Sequence, residues 1–201
     1  MASTRSEPAP PAVQAERSSE PLPAKIVVAG GFGVGKTTFV GSISEIDPLT
    51  TEAAVTEVSE GVDDLAMAGG KTSTTVAMDF GRITLDESLI LYLFGTPGQN
   101  RFFFLWDELV KGAIGAVVLV DTRRLADCFA AVNYFEQCGL PFVVAVNCFD
   151  GIVTHPLDQI REALAIGPDV PVHYTDARSR PATRKVLISV TEHAILRARA
   201  A

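Results

Sequence analysis

From Lys25 onward, short unbroken apolar runs alternate with stretches of helical period. Ile26-Val27-Val28-Ala29, Ile114 to Val120 and Phe142 to Val146 contain no charged residue, the pattern of strands buried on both faces. Leu125, Cys128, Phe129, Val132 and Phe135 fall at i, i+3, i+4, i+7 and i+10, which predicts one apolar helix face. Repeated strand–helix alternation predicts a parallel sheet covered by helices on both sides. Thr75 to Ile83 differs, with Val76, Met78 and Phe80 alternating against Thr75, Ala77 and Asp79. With Leu89 to Phe94 after a turn at Asp86-Glu87, it predicts an antiparallel hairpin at one sheet edge. Val170 to Tyr174 predicts a last short strand, and a closing helix runs from about Pro181 to Arg199. The expected fold class is α/β in three layers, with a six-stranded, mostly parallel sheet and one antiparallel edge strand.

Residues 1–24 are rich in Pro, Ser, Ala and Glu and have no apolar period. They are expected to form a disordered arm, leaving one domain over 25–201. The net charge of -7 argues against nucleic acid as a partner, because phosphate backbones demand clustered cations. It argues equally against a direct polybasic membrane anchor. The acidity is local: Glu45, Asp47, Glu52, Glu57, Glu60, Asp63 and Asp64 occur with no intervening base, and this segment 45–64 is expected to be a solvated, mobile loop. Cys128, Cys138 and Cys148 make no disulfide framework, consistent with a reduced cytoplasm. No run is long enough to span a bilayer. A signal-peptide core, a myristoylation glycine and a prenylation box are all lacking. The expected location is cytoplasmic, with any membrane visit made through a partner.

Gly30-Gly31-Phe32-Gly33-Val34-Gly35-Lys36-Thr37 matches G-x-x-x-x-G-K-[ST] between an apolar strand and a helical segment. Glycines let the backbone approach a phosphate, and successive N–H groups with a helix N-terminus make an anion site. Gly30, Gly33, Val34, Gly35, Lys36, Thr37 and Thr38 form the expected phosphate set. Lys36 would meet the β- and γ-phosphates, and the Thr37 hydroxyl would ligate Mg²⁺.

Asn147-Cys148-Phe149-Asp150 follows the Phe142 to Val146 strand. Here the chain resembles Ras-like small GTPases, whose N-K-x-D motif it keeps at Asn147 and Asp150. The resemblance spans about residues 25–199. It is nearest to bacterial Ras-like proteins: the gliding-motility polarity GTPases and, closer, the GTP-binding proteins of actinobacterial conservon operons. It implies GTP/GDP and Mg²⁺ as ligands and slow GTP hydrolysis. It implies regulatory partners of roadblock and sensor-kinase-like type. Asp150 would read guanine N1 and N2 hydrogens, and Asn147 would tie this loop to the phosphate loop. In Asp176-Ala177-Arg178, which resembles the S-A-K loop, Ala177 would offer its N–H to guanine O6, with Arg178 beside the base. Thr75 (or Thr74) resembles the switch I threonine that senses γ-phosphate and Mg²⁺. Gly95-Thr96-Pro97-Gly98-Gln99 resembles switch II, with Gly98 approaching the γ-phosphate and Gln99 orienting water.

Three positions depart from that pattern. Gly95 stands where an Asp usually holds a Mg²⁺-bound water, so Mg²⁺ dependence is expected to weaken. Phe32 replaces a small residue, either crowding Gln99 or folding away into apolar packing. Switch I carries no arginine near Thr75, so intrinsic turnover is expected on the order of 10⁻⁴ to 10⁻³ per second, by analogy with Ras. Two other readings stay open: a guanine-nucleotide scaffold that does not hydrolyse, and an ATP-using P-loop enzyme. The run Phe102 to Trp106 is expected to divide between a partner surface and the core, with Trp106 inward. His155, His173 and His193 carry no ligand spacing.

Overall fold

The unbroken apolar runs form the centre of a sheet whose two faces are both covered. The computed structural model describes residues 20–47, 49–56, 73–98 and 104–200. The strands are β1 (Leu22–Gly30), β2 (Leu49–Thr56), β3 (Ser73–Asp86), β4 (Leu89–Gly95), β5 (Ala113–Val120), β6 (Phe142–Asn147) and β7 (Val172–Thr175). The helices are α1 (Lys36–Ile43), α2 (Trp106–Val110), α3 (Phe129–Cys138), α4 (Leu157–Ala163) and α5 (Arg180–Ala200). The strands make one sheet in the order β2-β3-β4-β1-β5-β6-β7.

The six expected strands are present, and β2 adds a seventh. The strands β4, β1, β5, β6 and β7 are parallel, and β3 runs antiparallel to both β2 and β4. The reversed strand is therefore not the edge. The expected loop within 45–64 is corrected over Leu49–Thr56, which pairs with Ser73–Phe80. Thr50, Thr51 and Val55 suit a strand despite the acidic composition; residues 57–64 lie outside the description. Order also begins earlier than Lys25, because Leu22, Pro23 and Ala24 pair with Leu89, Ile90 and Leu91.

Successive residues of β1 point to opposite faces, which explains the absence of polar alternation. Ile26 and Val28 join Phe39, Val40 and Ile43 of α1 and Val186, Leu187 and Val190 of α5 in one core. Val27 and Ala29 join Trp106, Val132, Phe135 and Ile160 in the other. Trp106 is inward, stacked on Phe135 at 5.7 Å between centroids. Phe104 is exposed, while Phe102 and Phe103 lie outside the description. Phe129, expected on the core face of α3, is exposed. A 3₁₀ segment at Thr122–Cys128, kinked at Arg124, precedes α3; Leu125 and Cys128 face inward as expected, and within α3 Ala131, Val132 and Phe135 are buried. Burial pushes the Cys128 thiol up to about 12.

Strand order reverses at β1, flanked by β4 and β5. In open α/β sheets ligands sit at the carboxyl ends of strands at such a point. The phosphate motif leaves β1 there.

Candidate nucleotide site

Gly30, Gly33 and Gly35 have φ of 140°, 74° and 106°. Gly35 is the N-cap of α1, and no side chain caps the helix. A Cβ at Gly35 would also stand 2.8 Å from the Asn147 Nδ2. Glycine is required here by both conformation and contact. The free N–H groups of the first turn and the exposed Thr37 and Thr38 face outward as an anion site. Lys36 is buried, and its Nζ donates to the Gly30 and Gly31 carbonyls at 2.9 and 2.8 Å. Burial lowers its pKa to about 8, with Asp79 pulling in the opposite direction.

The residue that sequence reasoning missed is Asp79. Its Oδ2 accepts from the Thr37 hydroxyl at 2.7 Å. A Cβ on Gly95 would stand 3.0 Å from the Asp79 Cβ and 3.1 Å from its Oδ2. A carboxylate from the neighbouring strand thus stands beside position 95. A threonine hydroxyl and a carboxylate are hard oxygens of the type Mg²⁺ takes. The Thr96 hydroxyl, next in chain to Gly95, is buried without a protein partner. This donor set fits Mg²⁺. Among the described residues no cluster of three or more His, Cys, Asp or Glu offers a different metal site.

Gly98 lies on the phosphate loop: a Cβ there would stand 2.8 Å from the Lys36 Nζ and 2.9 Å from the Phe32 Cα. Phe32 does not fold away; it is 66% exposed. Close to it, Arg124 pairs with Asp127 at 2.6 Å. Thr75 lies on β3 with its backbone opposite Ala54, and its side chain is outside the described set. Gln99 and Arg101 also fall outside it.

Asn147 ends β6 and is buried. Its Nδ2 donates to the Val34 carbonyl at 2.9 Å, and its Oδ1 accepts from the Ala177 N–H at 3.1 Å. One side chain therefore links the phosphate loop to both loops expected to read a base. Asp150 sits in the left-handed region at φ 57°, which an Asp tolerates better than most residues. Its exposed carboxylate accepts from the Arg178 Nη1 at 3.1 Å. Arg178 also grips Asp176 at 3.0 Å through Nε and Nη2. These bonds hold the Asp176 carboxyl below its usual range. Cys148, in place of the motif lysine, is buried, and burial raises its thiol pKa. The Arg123 guanidinium lies 4.1 Å from the Phe149 ring centroid, bringing a second cation to this loop that no motif marked.

The sites expected at Gly30 to Thr38, Gly98, Asn147, Asp150, Ala177 and Arg178 lie on loops at the carboxyl ends of β1, β4, β6 and β7. The FeoB G-domain from Methanococcus jannaschii is similar in fold, at 14% identity and TM-score 0.56, over 86% of this chain and 98% of that one. The G domain of the T. maritima FeoB iron transporter is similar at 16% identity and TM-score 0.61, over 86% and 99%. The cytosolic domain of the same transporter, in a GDP form, gives 16% and 0.62, over 87% of this chain and 64% of that one. By sequence, an uncharacterised protein of Methanocaldococcus jannaschii is 28% identical over 128 residues, 63% of this chain and 70% of that protein. Translation initiation factor IF-2 of a Ruegeria species is 24% identical over 143 residues, 70% of this chain but 15% of the factor. The fold is that of a G-domain P-loop NTPase. A family model described as a conserved hypothetical ATP binding protein matches residues 28–197, and the chain belongs to that family.

Proposed function

We propose that this chain is a guanine-nucleotide switch that binds GTP or GDP with Mg²⁺ and hydrolyses GTP slowly. The observation that carries the reading is the Asn147 bridge between Val34 and Ala177. It supports a base pocket in which the Asp150 carboxylate and the Ala177 N–H stand beside the phosphate loop. A carboxylate accepts two hydrogens, which guanine offers on N1 and N2 and adenine does not.

In this reading the α1 N-terminus and the loop N–H groups hold the phosphates, and Lys36 leaves its two carbonyls to meet them. Thr37 and Asp79 would hold Mg²⁺, which when bound neutralises charge shared by the β- and γ-phosphates. Gly98 closes against Lys36, and Gln99 orients the attacking water. Catalysis then comes from positioning and preorganised charge. Partners that read the switch segments are proteins, of roadblock or sensor-kinase-like type by the resemblance. Among the described residues no helix is long and apolar enough to cross a membrane; a cytoplasmic location is part of this proposal.

The family's description as ATP binding favours a second reading, in which the base is adenine and Asp150 remains paired with Arg178. Identifying the nucleotide released from freshly purified protein separates the two. A single-turnover comparison of GTP and ATP, with and without Mg²⁺, completes the test. Guanine nucleotide with slow Mg²⁺-dependent cleavage is expected. Adenine nucleotide, or equal use of both, overturns the guanine assignment, and bound GTP that never turns over leaves a scaffold.

A further inference from the structure

At the end of the sheet away from the phosphate loop, an open groove of about 860 Å³ runs between the start of β1, the β3–β4 turn and the last turns of α5. Its walls include Leu22, Leu89, Ile114, Leu140, Ala194 and Ile195. Arg197 is the charged residue among its lining, and it is engaged with Asp169 at 3.1 Å. Leu22 and Ile195 are exposed. An apolar groove of this size on a folded domain marks an interaction site.

We infer that residues of the chain's own N-terminal arm, Pro8 to Ala15, occupy this groove. The described chain begins at Glu20, two residues before the groove wall at Leu22. Nineteen further residues precede it. Extended chain covers about 3.3 Å per residue, so the links from Ala15 to Glu20 are ample to turn the arm back over the wall. Pro8-Ala9-Pro10-Pro11-Ala12-Val13-Gln14-Ala15 carries no charge, whereas Arg5, Glu7, Glu16 and Arg17 flank it. An uncharged segment thus meets a nearly uncharged groove, with its charges left at the two ends. A proline-rich sequence favours extended chain and loses less entropy on docking. Docking is intramolecular, at an effective concentration of about millimolar. A contact of only millimolar strength is therefore enough to fill the groove about half the time.

Cys138 supplies the readout. It lines the groove and is exposed, while Cys128 and Cys148 are buried. Reaction of the full chain with a small aromatic disulfide reagent should report on Cys138 alone in its fast phase. Val13→Asp puts a charge into the uncharged run and leaves every residue of the groove's lining unchanged. It is expected to raise the Cys138 rate at least twofold, at the same value from 2 to 100 µM protein. A rate unchanged by Val13→Asp overturns the proposal, and so does protection that grows with protein concentration, which would assign the groove to a second copy. Independently, Ile195→Asp on the opposite wall is expected to shift the backbone amide resonances of Ala9, Ala12 and Val13. Resonances identical to those of the unsubstituted chain overturn it.

Discussion

Asp79 fills the space that a side chain at Gly95 would need, with its Oδ2 3.1 Å from where that Cβ would stand. The two residues face each other across β3 and β4, one step beyond the Phe80–Phe94 pair. A carboxylate from β3 thus fills the space beside Gly95 and accepts from the Thr37 hydroxyl, and in the proposed reading it holds Mg²⁺ there. Asp79→Ala is therefore expected to remove most of the Mg²⁺ dependence of nucleotide retention, by at least tenfold in release rate. Gly95→Asp in the otherwise unchanged chain should destabilise, because it crowds and repels Asp79. Combining the two should restore Mg²⁺ dependence. Release curves of labelled GDP across a Mg²⁺ titration check all three, and an Asp79→Ala curve superimposable on the parent's counts against the role.

This exchange also shows where the sequence stopped being legible. The β3–β4 hairpin was readable from alternation, but its register was not. A bulge between Thr84 and Asp86 shifts the pairing by one residue, and a one-residue shift reverses which face every side chain occupies. Counting back from the turn could not place Asp79 opposite Gly95. The phosphate loop was legible because its spacing is local, and the same holds for Asn147 at the end of an apolar strand. β2 was hidden by its acids: Glu52 and its neighbours read as solvated loop, whereas strand formation here is decided by pairing with β3. Phe129 departs from the helical period because Thr122–Cys128 before it is a 3₁₀ segment kinked at Arg124, not a continuation of α3.

Asn147→Ala removes the donor to Val34 and the acceptor for Ala177 together. Leaving a buried carbonyl and N–H without partners costs about 1–3 kcal/mol each when water cannot reach them. A loss of roughly 2 kcal/mol in unfolding free energy is expected, with nucleotide affinity falling more than tenfold. Asn147→Asp should be no milder, since it keeps the acceptor but turns the second oxygen against the Val34 carbonyl. Denaturant unfolding paired with nucleotide titration checks this; unchanged affinity in Asn147→Ala would detach the bridge from binding.

Lys36 gives the site a pH signature. Burial places its folded-state value at about 8, against 10.5 for an ordinary lysine. Between those values the unfolded chain binds more protons than the folded one, so stability of the nucleotide-free protein rises with pH across that window. Below pH 8 both states are protonated and this slope vanishes. Nucleotide phosphates favour the charged ammonium, so binding takes up a proton above pH 8. Affinity should fall as pH climbs past 8, approaching about tenfold per pH unit. Lys36→Met should flatten both trends. Melting temperatures and dissociation constants from pH 7 to 10 provide the check.

In the proposed guanine reading, Asp150 and Arg178 set how the base is read. Their ion pair is exposed on both sides, 78% and 57%, and such pairs are worth at most about 1 kcal/mol. Guanine can therefore displace Arg178 from the carboxylate at little cost, and Arg178→Ala should change GDP affinity by less than about tenfold. Asp150→Asn should act differently. An amide presents one acceptor and one donor where the carboxylate presents two acceptors, so it mismatches the paired donors of guanine. It matches instead a base with N1–H and a carbonyl at C2, as in xanthine. The expected result is a loss of GDP affinity exceeding a hundredfold, with preference passing to xanthosine diphosphate. Competition titrations with guanosine, xanthosine and adenosine diphosphates on the parent and both variants read this directly. If Asp150→Asn leaves the order of the three unchanged, Asp150 does not read the base, and the adenine reading gains the site.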